Sequence, residues 1–106
     1  MLVYFCIIIK MIKGKLKTAK QMERHLKGMA NHHRIEILLV VAAHKGITLE
    51  EIIELTKGNE KTIGEHTRRL HSAGLINKKY KGRCVVHELS SYGQIFTQFL
   101  QSFRRL

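Results

Sequence analysis

Over residues 48–89 the chain changes its hydrophobic pattern once, and that change restricts the fold more than any other feature of the sequence. Thr48 and Glu51 form a T-x-x-E capping box ahead of Leu49, Ile52, Ile53 and Leu55. In such a box the hydroxyl accepts from the amide three residues on, and the carboxylate reaches back to the threonine amide. Asn59 opens a second helix, with Ile63, Thr67 and Leu70 on its inner stripe, Ala73 at its end and Gly74 at the C′ position, where a left-handed residue is favoured. Two short helices joined by a tight glycine-containing turn at 56–59 have the spacing of a helix-turn-helix. Beyond Gly74 the pattern becomes β-rich: runs at 75–80 and 84–89 flank Lys81-Gly82-Arg83, a three-residue loop that predicts a hairpin.

Helical stripes flank this block. Ala19, Met22, Leu26 and Met29 recur at spacings of three and four, and Asn31 N-caps a run carrying Ile35, Leu38, Leu39 and Ala42, with Gly46 as its stop. Ser91 and Gln94 read as another capping box, opening a last helix with Ile95, Phe96, Phe99, Leu100 and Phe103 on one stripe. The expected architecture is mainly α with a small β-hairpin, a winged helix-turn-helix in the order α-α-α-α-β-β-α over residues 19–106. Residues 1–18, an apolar start followed by a basic arm, have no assigned place in it.

At 106 residues the chain is the size of one domain. Its acidic residues are all glutamate, so no triad, dyad or Mg²⁺ site containing aspartate is available. No GxGxxG, GxxxxGK, GxSxG or HExxH motif occurs, and neither an enzyme nor a cofactor is expected. Cys6 and Cys84 form no CxxC pair, which points to a reduced, cytoplasmic protein. The apolar run at 2–9 falls short of the roughly 20 residues that a spanning helix needs. It also lacks the basic flank and cleavage site of a signal peptide, so no stable membrane insertion is expected. With 19 Lys and Arg against 8 Glu the net charge is +11, a balance that suits a polyanion, nucleic acid before an anionic membrane.

Two blocks of residues then become specific. Gly28-Met-Ala-Asn-His-His-Arg-Ile-Glu-Ile-Leu38 resembles the opening signature of the arsenic-repressor-like (ArsR-type) winged-helix transcription regulators. The run from Thr62 to Ile76 is similar to that family's recognition helix and its exit, with Thr62, Ile63, His66, Leu70, Ala73, Gly74 and Leu75 on the expected residue types. Gly82, Arg83, Val85, Leu89 and Ser90 fit its wing. His32 stands where the family has proline, a tolerable change because the first helical amide has no intrahelical partner. Thr67 and Arg69 replace apolar residues, which predicts a thinner packing face on that helix.

The resemblance implies a dimeric regulator of double-stranded DNA, expected as a repressor. Opposite Ile63, Thr67 and Leu70, the recognition helix should present Glu60, Lys61, Thr62, Gly64, Glu65 and Arg68 to the major groove. Lys61 and Arg68 suit guanine or phosphate, and a glutamate can accept from cytosine N4. The wing residues Lys79, Lys81 and Arg83 should lie along the backbone or enter the minor groove; a charged edge strand that merely resists aggregation is the alternative. Dimerisation through the first and last helices would use Met22, Leu26, Met29, Ile95, Phe96, Phe99, Leu100 and Phe103. The family's Cys-x-Cys metal site falls on Thr48 and Glu50, and residues 91–106 contain no His, Cys, Asp or Glu. No metal is therefore expected, and the histidines are read as capping and surface residues.

The charge is unevenly placed. Eight basic residues lie over 10–34 against Glu23 alone, whereas the helix-turn-helix balances Lys57, Lys61, Arg68 and Arg69 against Glu50, Glu51, Glu54, Glu60 and Glu65. A second reading follows from that near-neutrality: a winged-helix module whose recognition helix faces a protein. The basic arm itself reads as solvated surface, with a nucleic-acid arm or a membrane-surface anchor as the sharper alternatives.

Overall fold

In a computed structural model that describes Phe5 and residues 16–106, the chain runs α1 (Ala19–Met29), α2 (His32–Ala43), β1 (Ile47–Thr48), α3 (Leu49–Thr56), α4 (Glu60–Ser72), β2 (Ile76–Lys81), β3 (Cys84–Leu89) and α5 (Ser91–Phe103). The apolar start and most of the basic arm expected at 1–18 lie outside the described residues.

Side-chain caps set the helix starts. Asn31 Oδ1 accepts from the amides of His33 and Arg34 at 2.9 and 3.3 Å, and Asn59 Oδ1 from that of Thr62 at 2.8 Å. Thr48 and Glu51 make the expected capping box, with Glu51 Oε1 3.0 Å from the Thr48 amide. A second box, unanticipated, opens α1: Thr18 Oγ1 accepts from Gln21 N while Gln21 Oε1 accepts from Thr18 N. The last helix corrects the sequence reading. Its cap is Ser90 rather than Ser91; Ser90 Oγ accepts from the Gly93 amide at 3.0 Å and donates to the Gly74 carbonyl at 2.6 Å. That second bond, 16 residues away in sequence, is what selects between two adjacent serines.

The sheet departs from the expectation in two ways. It has three strands in the order β1-β3-β2, all antiparallel, because Ile47 and Thr48 pair with His87 and Val86. Two residues are too short a strand to be read from periodicity. The hairpin loop is two residues, not three: Lys81 pairs with Cys84, leaving Gly82-Arg83 as the turn. Gly82 has φ +65 and Arg83 has no positive φ, the pattern of a type II′ turn, which matches the twist of the flanking strands.

The core surrounds α2, whose Ile37, Leu38 and Val41 are buried against Ile52 of α3, Ile63 and Leu70 of α4, and Leu75 and Ile76 leading into β2. A helix apolar round most of its circumference is a central helix, and truncating Leu38 or Leu70 to Ala should cost about 2–5 kcal/mol. Thr67 joins this core because its Oγ1 donates to the Ile63 carbonyl at 2.7 Å, removing the cost of a bare buried hydroxyl. Its presence keeps the inner face of α4 filled, while Arg69 lies outside that face.

Two histidines expected at the surface are buried instead. His25 Nδ1 donates to the Ala73 carbonyl at 2.7 Å, and its ring stacks on Tyr92 with centroids 4.7 Å apart. His87 Nδ1 donates to the Ile47 carbonyl at 2.9 Å, joining β3 to β1. Burial holds the His87 pKa below its ordinary 6.5, against the opposing effect of that hydrogen bond. Between α2 and α4, Arg34 Nη1 lies 3.3 Å from His66 Nδ1. The arginine can only donate, so the His66 ring is neutral, and its pKa is lowered by burial and then by the Arg34 charge.

Both rings are therefore neutral in the folded chain at a pH where the unfolded chain already binds protons. Stability from these rings is full above their ordinary value of 6.5 and should fall as pH drops through and below it. Thermal melts on both sides of that value check this, and His87→Gln should flatten the dependence.

Candidate nucleic-acid interface

α4 turns Ile63, Thr67 and Leu70 inward, which leaves Glu60, Lys61, Thr62 and Arg68 exposed and Gly64 and Glu65 half-buried. The six residues expected at a groove thus share the outer side of one helix. Asn59 caps its N-terminus, and Glu60 in the first turn complements the helix dipole.

The charges on this face are not independent. The Glu65 carboxylate bonds the Arg68 guanidinium and, at 3.1 Å, Nε of Arg69. These two bonds, Arg68 first, hold its pKa below the usual carboxylate range. Glu65 is then an internal counter-ion for both arginines, and Lys61 is left without a salt bridge among the described residues.

The wing carries more free charge. Lys79 is the exception: its Nζ lies 2.8 Å from Glu88 Oε1, because the register sets Glu88 diagonally across from it. That contact lowers the Glu88 pKa. Lys78, Lys81 and Arg83 are exposed and make no salt bridge among the described residues. Tyr80, which sequence reasoning passed over, stands among them at 86% exposure. Its signal was available as a lone aromatic inside a run of cations.

The expected dimer set divides. Met29 and Leu100 belong to the core of the protomer and Phe96 packs against it, whereas Met22, Leu26, Ile95, Phe99 and Phe103 are exposed. Phe99 and Phe103 stack nearly parallel, 5.5 Å apart.

Among the described residues no three His, Cys or Glu side chains converge on a point that suits a metal ion. No helix there is long and apolar enough to cross a membrane.

No family model matches the chain. A search of curated proteins also finds no match. Solved structures do match. HlyU from Vibrio cholerae superposes with a TM-score of 0.77 at 20% identity, covering 87% of this chain and 100% of that one. A homodimeric winged helix-turn-helix DNA-binding domain from Mycobacterium bovis, described as a possible ArsR-family transcriptional regulator, gives 0.72 at 24% identity, over 81% of this chain and 80% of that one. The transcriptional repressor PagR of Bacillus anthracis gives 0.68 at 18% identity, over 76% and 93%. The fold is the winged helix-turn-helix that these structures share.

Glu65→Gln should release both guanidinium groups. The expected result is tighter binding of a random-sequence duplex, with a salt dependence steeper by about 0.9 for each phosphate newly contacted. Fluorescence anisotropy across a salt series measures both, and binding no tighter than the wild type would show that Glu65 does not restrain the arginines.

Proposed function

We propose that this chain is a dimeric winged-helix regulator that binds double-stranded DNA in a sequence-specific way and represses transcription from the sites it occupies. One observation carries the reading: the exposed side of α4 is joined, through a single tight corner at 73–75, to a wing whose Lys78, Lys81 and Arg83 have no acidic partner among the described residues. Lys61, Thr62 and Gly64 would approach base edges, Arg68 a base or phosphate once released from Glu65, and Lys81 and Arg83 the backbone beside the groove. Occupancy is the mechanism: a protein held on its operator by phosphate contacts excludes other proteins from it. The similar structures, a DNA-binding domain and a transcriptional repressor among them, support this reading.

The apolar residues that α1 and α5 leave uncovered support the dimeric part of this reading. A two-fold pair would present two recognition helices to half-sites about 10 bp apart, or a multiple of that. The near-neutral α4 favours one other reading, a protein-binding module. Charge reversal at Lys81 and Arg83 separates the two, because DNA binding would collapse while a protein interface through α4 would survive.

For the wild-type chain, log K for a duplex should fall linearly with log salt, at about 0.9 per phosphate contacted; a flat dependence or no binding at low salt overturns the proposal. Phe99→Glu should convert the dimer to a monomer in sedimentation equilibrium while leaving the fold intact, since the residue is exposed in the protomer. A dimer that persists would place the interface elsewhere.

A further inference from the structure

Tyr80 is the most exposed large apolar side chain of the described residues apart from the terminal Leu106. Its place explains why. Side chains alternate along a strand, so Ile76, Lys78 and Tyr80 share one side of β2. Ile76 is buried and Lys78 pairs across from the buried His87, whereas Tyr80 pairs with Val85 one step from the hairpin end. The side of the ribbon that enters the core at its base therefore carries a tyrosine beyond the core at its tip.

Nothing among the described residues uses that ring. It has no stacking partner among the described residues, and a tyrosine buries its apolar body wherever packing allows. Its neighbours in the strand and turn are cations. Lys79 is neutralised by Glu88, but Lys81 and Arg83 are not. On the ring's own side of β2 stands Lys78, with Arg83 in the turn beyond it and Lys81 on the opposite side, none of them in a salt bridge among the described residues. A ring set among free cations at a ribbon tip matches the alternation of deoxyribose and phosphate along a duplex edge, and not a membrane surface, into which a single ring would carry little apolar area.

Resting on the DNA-binding reading above, we propose that Tyr80 is the non-ionic DNA contact of the wing: its ring packs against deoxyribose in the minor groove while Lys81 and Arg83 hold the flanking phosphates. Such a contact contributes affinity that salt does not screen, in contrast to the phosphate contacts. It also gives the wing a fixed depth in the groove, which phosphate contacts alone do not set.

The test uses the full chain and a duplex that it selects from a random pool. Tyr80→Ala should weaken binding about tenfold, what roughly 50 Å² of ring removed from water is worth. The slope of log K against log salt should stay at its wild-type value, and Tyr80→Phe should bind as the wild type does. A Lys81→Ala control should lower the slope by about 0.9. Because Tyr80 is exposed, its variants should melt with the wild type, so a loss of affinity reports contact and not unfolding. Wild-type affinity in Tyr80→Ala overturns the proposal and leaves the DNA-binding reading standing. A changed slope in that variant also overturns it, because the ring would then act by placing its neighbouring cations. If the wild-type chain selects no duplex, the DNA-binding reading fails and this contact fails with it.

Discussion

The corner at Ala73, Gly74 and Leu75 holds the remaining elements in register. Gly74, with φ +78, lets the chain leave α4 as a Schellman motif: its amide donates to the His71 carbonyl and that of Leu75 to the Leu70 carbonyl, each at 3.0 Å. The three outward carbonyls are then all taken. Ala73 receives the His25 ring from α1, Gly74 receives the Ser90 hydroxyl, and Leu75 receives the Ser90 amide at 3.1 Å. Gly93 lies so close that a Cβ there would collide with the Leu75 carbonyl. The helix α4, the wing, the first helix and the last helix thus meet at three residues, and the angle between α4 and the wing is set where they are covalently joined.

That rigidity gives the charge distribution its meaning. The excess of basic residues is not on the helix whose outer side would meet bases; there Glu65 already occupies Arg68 and Arg69. It lies on the wing, and on the arm and α1, where Lys17, Lys20, Arg24 and Lys27 are exposed. Attraction that is long-ranged and indifferent to sequence comes from one part of the molecule, and discrimination between bases falls to a surface close to neutral. For a DNA-binding protein such a division separates encounter from readout.

What could be read from the sequence was local. Thr48 with Glu51, Asn31, Asn59 and Gly74 each act within a few residues, and each took the role its side chain predicts. Apart from the length of the hairpin turn and the capping box at Thr18 and Gln21, the misreadings involve partners distant in the chain. Ser90 displaces Ser91 as a cap because of Gly74; His25 and His87 are buried because carbonyls at Ala73 and Ile47 await them; β1 exists because β3 offers it an edge. Composition identifies a histidine but not the carbonyl 48 residues away that accepts its proton. The diagonal pairing of Lys79 with Glu88 was likewise invisible until the two-residue turn set the register.

The terminal helices show why an apolar stripe does not say what covers it. At about 100° per residue, His25 and Met29 of α1 occupy one arc and Met22 and Leu26 the adjoining one; the first pair is buried and the second exposed. In α5, Gly93, Thr97 and Leu100 face the core, while Ile95, Phe99 and Phe103 extend the apolar surface round the helix into solvent. Both stripes are wider than one protomer can cover. A helix that served only its own core would carry polar residues on the second arc, as α4 does opposite Ile63, Thr67 and Leu70. The proposed dimer gives these second arcs a use. Within each protomer the helix that carries Met22 and Leu26 is already tied to α4, because the neighbouring His25 is bonded to the Ala73 carbonyl at the end of α4.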